Sequence, residues 1–130
     1  MTTAVRYFTP AEAIKTLPLV RRIVADILVE GKEIKLLAEE LAEEEINQDP
    51  RLLARLEQID TYLKELEEIG CFYKDWNFTF GLVDFPAMFN GEEVYLCWRS
   101  DEESISYYHS VQNGYADRKM IPEEYFYSQN

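Results

Sequence analysis

The chain is poor in the residues from which many catalytic centres are built. Its 130 residues include one histidine and two cysteines, which excludes a multi-histidine metal centre within one subunit. Cys71 and Cys97 show neither metal-type nor redox-type spacing. No phosphate-cradling glycine loop is present. No apolar run approaches membrane-spanning length, and none of secretory type opens the chain. A cytoplasmic protein with reduced thiols is therefore expected. Basic residues are also scarce: 13 Lys and Arg against 25 Asp and Glu give a net charge of −12. Such a surface repels both a phosphate backbone and an anionic bilayer, so neither nucleic acid nor membrane is expected as a partner.

What is present specifies an architecture. One domain is expected at this length, with enough chain to bury a core without covalent staples. Leu, Ile, Glu and Lys dominate the first half, and Tyr, Phe and Trp the second. The division predicts a helical layer over about 9–70, a β module over about 71–121 and a tail over 122–130. The fold class is α+β: a long antiparallel helical hairpin, preceded by a short helix and followed by a small antiparallel sheet.

Thr9-Pro10-Ala11-Glu12 is a helix start with a capping box and proline at the first helical position. Pro18 is expected to end or kink the first short helix, about Pro10–Lys15, with helix resuming from Pro18 to about Glu45. Val20, Val24, Ile27, Gly31, Ile34, Ala38 and Leu41 recur every three and four residues, a bundle-type seam with small residues for close helix approach. Asp49-Pro50 restarts a helix to Ile69, with the seam Leu52, Leu56, Ile59, Leu63 and Leu66, and Gly70 at its C-terminal cap. Apolar residues outside the seams, namely Ile23, Leu28, Leu37, Leu53 and Tyr62, predict a homodimer formed through the hairpin, burying what one chain leaves exposed.

After Gly70 the period becomes two. Residues Cys71–Lys74 form a short candidate strand. Leu82–Phe89, Asn90-Gly91 and Glu92–Arg99 read as a β-hairpin, since Asn-Gly supplies the positive φ angles of a two-residue type I′ turn. Ser104–Ser110 is a third strand, and no element is assigned from Asp117 onward. The turn sets Phe85, Leu96 and Trp98 on an apolar face. It sets Asp84 opposite Cys97, with Tyr95 and Arg99 diagonal to it, on a second, polar face. That face is expected to be half-solvated and held by an Asp84–Arg99 ion pair. Pro86 makes its strand an edge, unless the Cys71 strand covers it, or introduces a bulge.

The blocks Gly81-Leu82-Val83-Asp84-Phe85-Pro86-Ala87, Glu93-Val94-Tyr95-Leu96-Cys97-Trp98, Ile105-Ser106-Tyr107-Tyr108-His109 and Gly114-Tyr115-Ala116-Asp117-Arg118 resemble a family of prokaryotic proteins catalogued as domain of unknown function 2203. The opening from Phe8 to Ala13 and Pro18 is also similar. The resemblance runs from Phe8 to about Ile121 and implies a bacterial protein without an assigned activity. Members often read Trp-His-Glu where this chain reads Tyr108-His109-Ser110, so no carboxylate stands next to the histidine here.

The candidate polar site comprises Asp84, Tyr95, Cys97, Arg99, His109 and Arg118. Asp84 and His109 are the candidate metal ligands, and Asp117 is a second possible carboxylate for the histidine. Gly114 to Arg118 could form an anion-binding turn. No motif names a cofactor. Two functions compete: a non-enzymatic interaction or regulatory protein, favoured by the amphipathic hairpin, and a small-molecule or metal-dependent enzyme using the polar face. Asp84 and His109 on opposite faces of the sheet would count against the second.

Overall fold

A computed structural model describes residues 5–127. The helices are α1 (Pro10–Glu40), α2 (Glu43–Ile46) and α3 (Pro50–Ile69), and the strands are β1 (Phe72–Tyr73), β2 (Leu82–Phe89), β3 (Glu92–Arg99), β4 (Tyr107–Ser110) and β5 (Lys119–Met120). The strands form one antiparallel sheet in the order β1-β2-β3-β4-β5. Among the described residues no helix is long and apolar enough to cross a membrane.

Both helix starts follow the sequence. Thr9 and Glu12 exchange capping-box hydrogen bonds, and the Asp49 side chain accepts from the backbone N–H groups of Arg51 and Leu52. Gly70 caps α3 at φ 109°, a left-handed conformation that glycine adopts without a Cβ penalty. The helices run antiparallel, since Arg6 reaches the Ile69 carbonyl at one end and Arg55 pairs with Glu30 further along.

Pro18 does not divide α1, contrary to expectation. The ring is exposed, so the carbonyl it leaves unpaired can be hydrated. A helix-interior proline costs about 3 kcal/mol. Burial of Ala13, Leu17, Val20, Ile23, Val24 and Ile27 on the opposite side outweighs that cost, because each large apolar side chain contributes about 1.5–3 kcal/mol.

The helix also stops at Glu40 rather than Glu45, with Leu41 extended. There is no basic residue in its last turn. Continuing would crowd Glu39, Glu40, Glu43, Glu44 and Glu45 at the negative end of the helix dipole. The break instead puts the last three in the first turn of α2, where the dipole favours them.

Only half of the hairpin is covered. The buried residues of α1 end at Gly31. Its small size accommodates not a partner helix but the Phe78 ring, which lies where a glycine Cβ would point. Beyond it Ile34, Leu37, Ala38 and Leu41 are half-buried. On α3 the buried seam is Leu52, Ile59 and Leu66, while Leu56 is exposed.

The β2–β3 hairpin has the expected register, from Phe89 opposite Glu92 to Leu82 opposite Arg99, without a bulge. Asn90 and Gly91 take φ 52° and 79°, as a type I′ turn requires. Alternation of hydrogen-bonded pairs from that turn directs Pro86 away from β3, so its missing N–H costs the ladder nothing. β1 pairs beside Val83 and Asp84, and the Phe8 N–H donates to the Pro86 carbonyl at 2.7 Å, so the edge is covered.

β4 begins at Tyr107 rather than Ser104. Glu102 intercepts the end of β3: its carboxylate accepts from the Arg99 N–H and its carbonyl from the Trp98 indole. The chain leading into β4 therefore does not pair there, and Ile105 turns into the core. A 3₁₀ turn, Tyr115–Asp117, leads into β5, and a second, Glu123–Phe126, follows it. The predicted tail is partly integral, because Tyr125 stacks on Phe89 at 4.1 Å; residues 128–130 lie outside the described residues.

The core lies between α1, α3 and the Phe85–Leu96–Trp98 face of the sheet. Gly81 marks a close approach of the β module to α1, because a Cβ there would lie 2.1 Å from Val24 Cγ1. Val24 is fully buried and cannot yield. Gly81→Ala should therefore destabilise the protein by about 1–3 kcal/mol in denaturant unfolding. Gly114→Ala, where a Cβ meets nothing within 4 Å, is the control. Equal midpoints for the two variants would refute this packing.

Candidate functional site

The second face of the sheet is half-solvated at Leu82, Glu93, Tyr95 and Arg99, as strand alternation leads one to expect, but its centre is buried. Asp84 and His109 are each 4% exposed and Cys97 is 1% exposed. The covering comes from the segment after β4, whose Val111, Asn113, Gly114 and Tyr115 line a cavity with Lys74, Tyr95, Asp84, Cys97 and His109. The cavity volume is about 280 Å³. Local strand patterns carry no information about a loop that returns over the sheet.

Three strands deliver the polar groups to one side. Asp84 of β2 lies opposite Cys97 of β3, and Tyr95 of β3 lies opposite His109 of β4. Period-two alternation then puts all four side chains on the same face. Ligating atoms of Asp84, Cys97 and His109 lie within 4.8 Å of one another. The carboxylate facing the histidine is thus supplied from two strands away rather than by a sequence neighbour, and Asp117 is exposed.

The histidine's hydrogen bonds constrain its protonation. His109 Nδ1 lies 2.8 Å from the Ser110 carbonyl. A carbonyl only accepts, so Nδ1 carries a proton. In a neutral ring Nε2 then presents a lone pair. It faces both oxygens of Asp84 at 3.1 Å. A lone pair directed at a carboxylate requires a positive centre between them, either a proton or a metal ion.

Burial pushes the Asp84 carboxyl above its ordinary range, against the opposing pull of His109 and Lys74. Cys97 is pushed up to about 12, first by burial and then by the Asp84 carboxylate, with Arg118 acting in the opposite direction. The metal-free pocket therefore resists holding both anions. A dication reverses that preference, because it deprotonates a ligating thiol.

The remaining candidates have other partners. Arg99 pairs with Asp101, at 2.5 Å from Nε to Oδ1, and donates to the Tyr115 hydroxyl. It does not pair with Asp84 as expected, because Asp101 lies just beyond it in the same turn while His109 occupies the carboxylate. Arg118 is held by Glu102 at 3.0 Å and sandwiched between Tyr107 and Tyr115, each ring centroid 4.3 Å away. Gly114–Arg118 consequently serves as a pinned cover beside the site, its arginine held by Glu102 and reaching Cys97. Lys74 was not foreseen. Phe72 faces Asp84 in the β1 register, and the Lys74 N–H donates to the Leu82 carbonyl. Two residues along the strand, Lys74 therefore lies on the Asp84 side; the register of the first strand was the missing signal.

A family model described as "Uncharacterized conserved protein (DUF2203)" matches residues 6–121, and the chain belongs to that family. No curated protein matches the chain, and no solved structure does. The match takes in every member of the buried cluster and ends before the Glu123–Phe126 turn.

Removing either half of the pair should have unequal consequences. With a chelator present, His109→Ala leaves a buried carboxylate without a partner and should cost about 3–5 kcal/mol. Asp84→Asn removes the charge, and its amide can donate to Nε2, so the cost should be about 1 kcal/mol or less. Denaturant unfolding of the two variants measures the difference. Equal losses would contradict the reading that an unpartnered Asp84 charge is what His109→Ala exposes.

Proposed function

We propose that Asp84, Cys97 and His109 bind a divalent transition-metal ion, with a further coordination position facing the cavity, and that a small molecule is bound or converted there. The observation that carries this reading is the tautomer. A ligating histidine commonly donates its other ring N–H to a backbone carbonyl, which fixes the ring and directs the free nitrogen at the metal. The Ser110 carbonyl and His109 Nε2 have that relation to Asp84 and Cys97.

The donor set of one carboxylate, one thiolate and one imidazole suits zinc-type chemistry. Three protein ligands leave room for water or substrate, as in catalytic rather than closed structural zinc sites. Charge also supports it: a dication, two anionic ligands and a neutral imidazole sum to zero, which lowers the cost of burial. A reducing cytoplasm, which keeps Cys97 a thiol, fits the proposal. Asp84 and His109 share a face of the sheet, so the arrangement that would have argued against a metal-dependent role is absent among the described residues.

Cobalt titration of chelator-stripped protein should show one ion bound per chain, with a thiolate-to-metal charge-transfer band. Cys97→Ser should lose the band and His109→Ala should lose most of the affinity. Protein that binds neither cobalt nor zinc under these conditions holds only a shared proton between Asp84 and His109, and the proposal fails.

Self-association is a second, compatible property, favoured by the far half of the hairpin. Leu36, Leu53 and Leu56 are each 46% exposed beyond the reach of the sheet. Ile23 is buried within the chain, and Leu28 packs against its core, so neither belongs to this surface. A second copy is the occupant we propose, pairing the tips by two-fold symmetry, with salt screening the acidic faces. Sedimentation equilibrium should give twice the 15.3 kDa chain mass, and Leu36→Glu combined with Leu56→Glu should return it to one chain. A wild-type protein of single-chain mass at high micromolar concentration would refute pairing.

A further inference from the structure

We infer that the ligand of this site is a small monoanionic carboxylate, one oxygen of which takes the bound metal's open position while the other accepts from the Lys74 ammonium. The inference rests on the metal reading above and adds to it the chemical class of the ligand.

The groups surrounding the cavity are unequal in what they have left to offer. Arg99 and Arg118 are engaged by carboxylates. Lys74 lines the cavity and makes no ion pair within 4 Å among the described residues. Its ammonium lies 5.9 Å from the centre of the Tyr95 ring, on the side of the sheet that carries Asp84. Neither the Tyr95 hydroxyl nor the Asn113 side-chain amide, both at the same cavity, is engaged in a hydrogen bond within the described chain. The uncommitted groups are therefore a cation and two side chains able to donate. Donors left free in a partly closed site select a ligand rich in acceptors.

Charge then sets the valence. With the dication balanced by Asp84 and Cys97, the remaining charge at the cavity is that of Lys74, and one negative charge on the ligand closes the account. A carboxylate can accept charge-assisted hydrogen bonds from the ammonium and also ligate the metal, which a neutral amide does only weakly. Size gives the last restriction. A volume of about 280 Å³ lies just below the usual range for drug-sized ligands, about 300–1,000 Å³. Leu82 and Val111 add a short apolar wall. Together these describe a small aliphatic monocarboxylate rather than a nucleotide.

The test uses the whole chain loaded with cobalt and titrated with acetate over ~1–100 mM, the range in which so small a ligand binds. Acetate should perturb the cobalt absorption spectrum saturably, and acetamide, its neutral isostere, should not. Lys74→Met should weaken acetate about tenfold, and Lys74→Arg should restore most of the loss. Lys74 is exposed, so these substitutions do not threaten folding. A cobalt spectrum indifferent to acetate, equal responses to acetate and acetamide, or an unchanged acetate affinity in Lys74→Met would each overturn the inference while leaving the metal site intact. Failure to form the cobalt spectrum at all would instead overturn the metal reading and this inference with it.

Discussion

The two-residue turn at Asn90-Gly91 governs everything that follows in the β module. Because side chains alternate with a period of two, a slip of one residue would exchange the faces of the strand. Phe85, Leu96 and Trp98 would then face away from α1, and Asp84 would enter the core. Positive φ angles at Asn90 and Gly91 suit the right-handed twist of the flanking strands and hold the register without a bulge. The same turn therefore specifies the core on one side and the polar cluster on the other. Neither can be altered without the other.

The polar cluster shows how a small domain can retain groups that burial opposes. Asp84, Cys97 and His109 are almost wholly removed from solvent, yet each has a partner within the cluster or on the backbone. Ser110 orients the imidazole, and the imidazole faces the carboxylate. Around them Arg118 and Arg99 fasten the cover: Arg118 through Glu102 and two tyrosine rings, Arg99 through Asp101 and the Tyr115 hydroxyl. The arginines expected to meet a ligand are instead structural clamps. Among the described residues their engagement leaves Lys74 as the cation at the cavity without an ion pair.

The helical layer divides along its length for a related reason. Up to Gly31, α1 has the sheet to cover it, and Phe78 closes the junction by packing against that glycine. Phe78 itself takes φ 58°, an unfavourable conformation for a bulky residue, held by contact with Gly31 and stacking on Tyr73. Past this point two helices have only each other. A two-helix contact buries one stripe, so the apolar residues off that stripe remain open at the tip, among charged side chains.

The sequence by itself determined the features governed by near neighbours: both helix caps, the Gly70 stop, the Asn-Gly hairpin with its register, and hence which residues share a face with Asp84. These depend on backbone preferences and on alternation, which act over a few residues. It also carried enough of the family's blocks to indicate membership, though no activity. It misjudged Pro18, because a local penalty of about 3 kcal/mol is overcome by burial distributed along α1. It missed the burial of the centre of the polar face, because a segment some thirty residues beyond Asp84 folds back beside it. Tertiary structure alone decided that His109 meets Asp84, that Arg99 turns to Asp101, and that Lys74 enters the cavity. Each of those outcomes depends on which strands become neighbours and where a loop returns, and contacts of that kind leave no period in the chain from which they could be read.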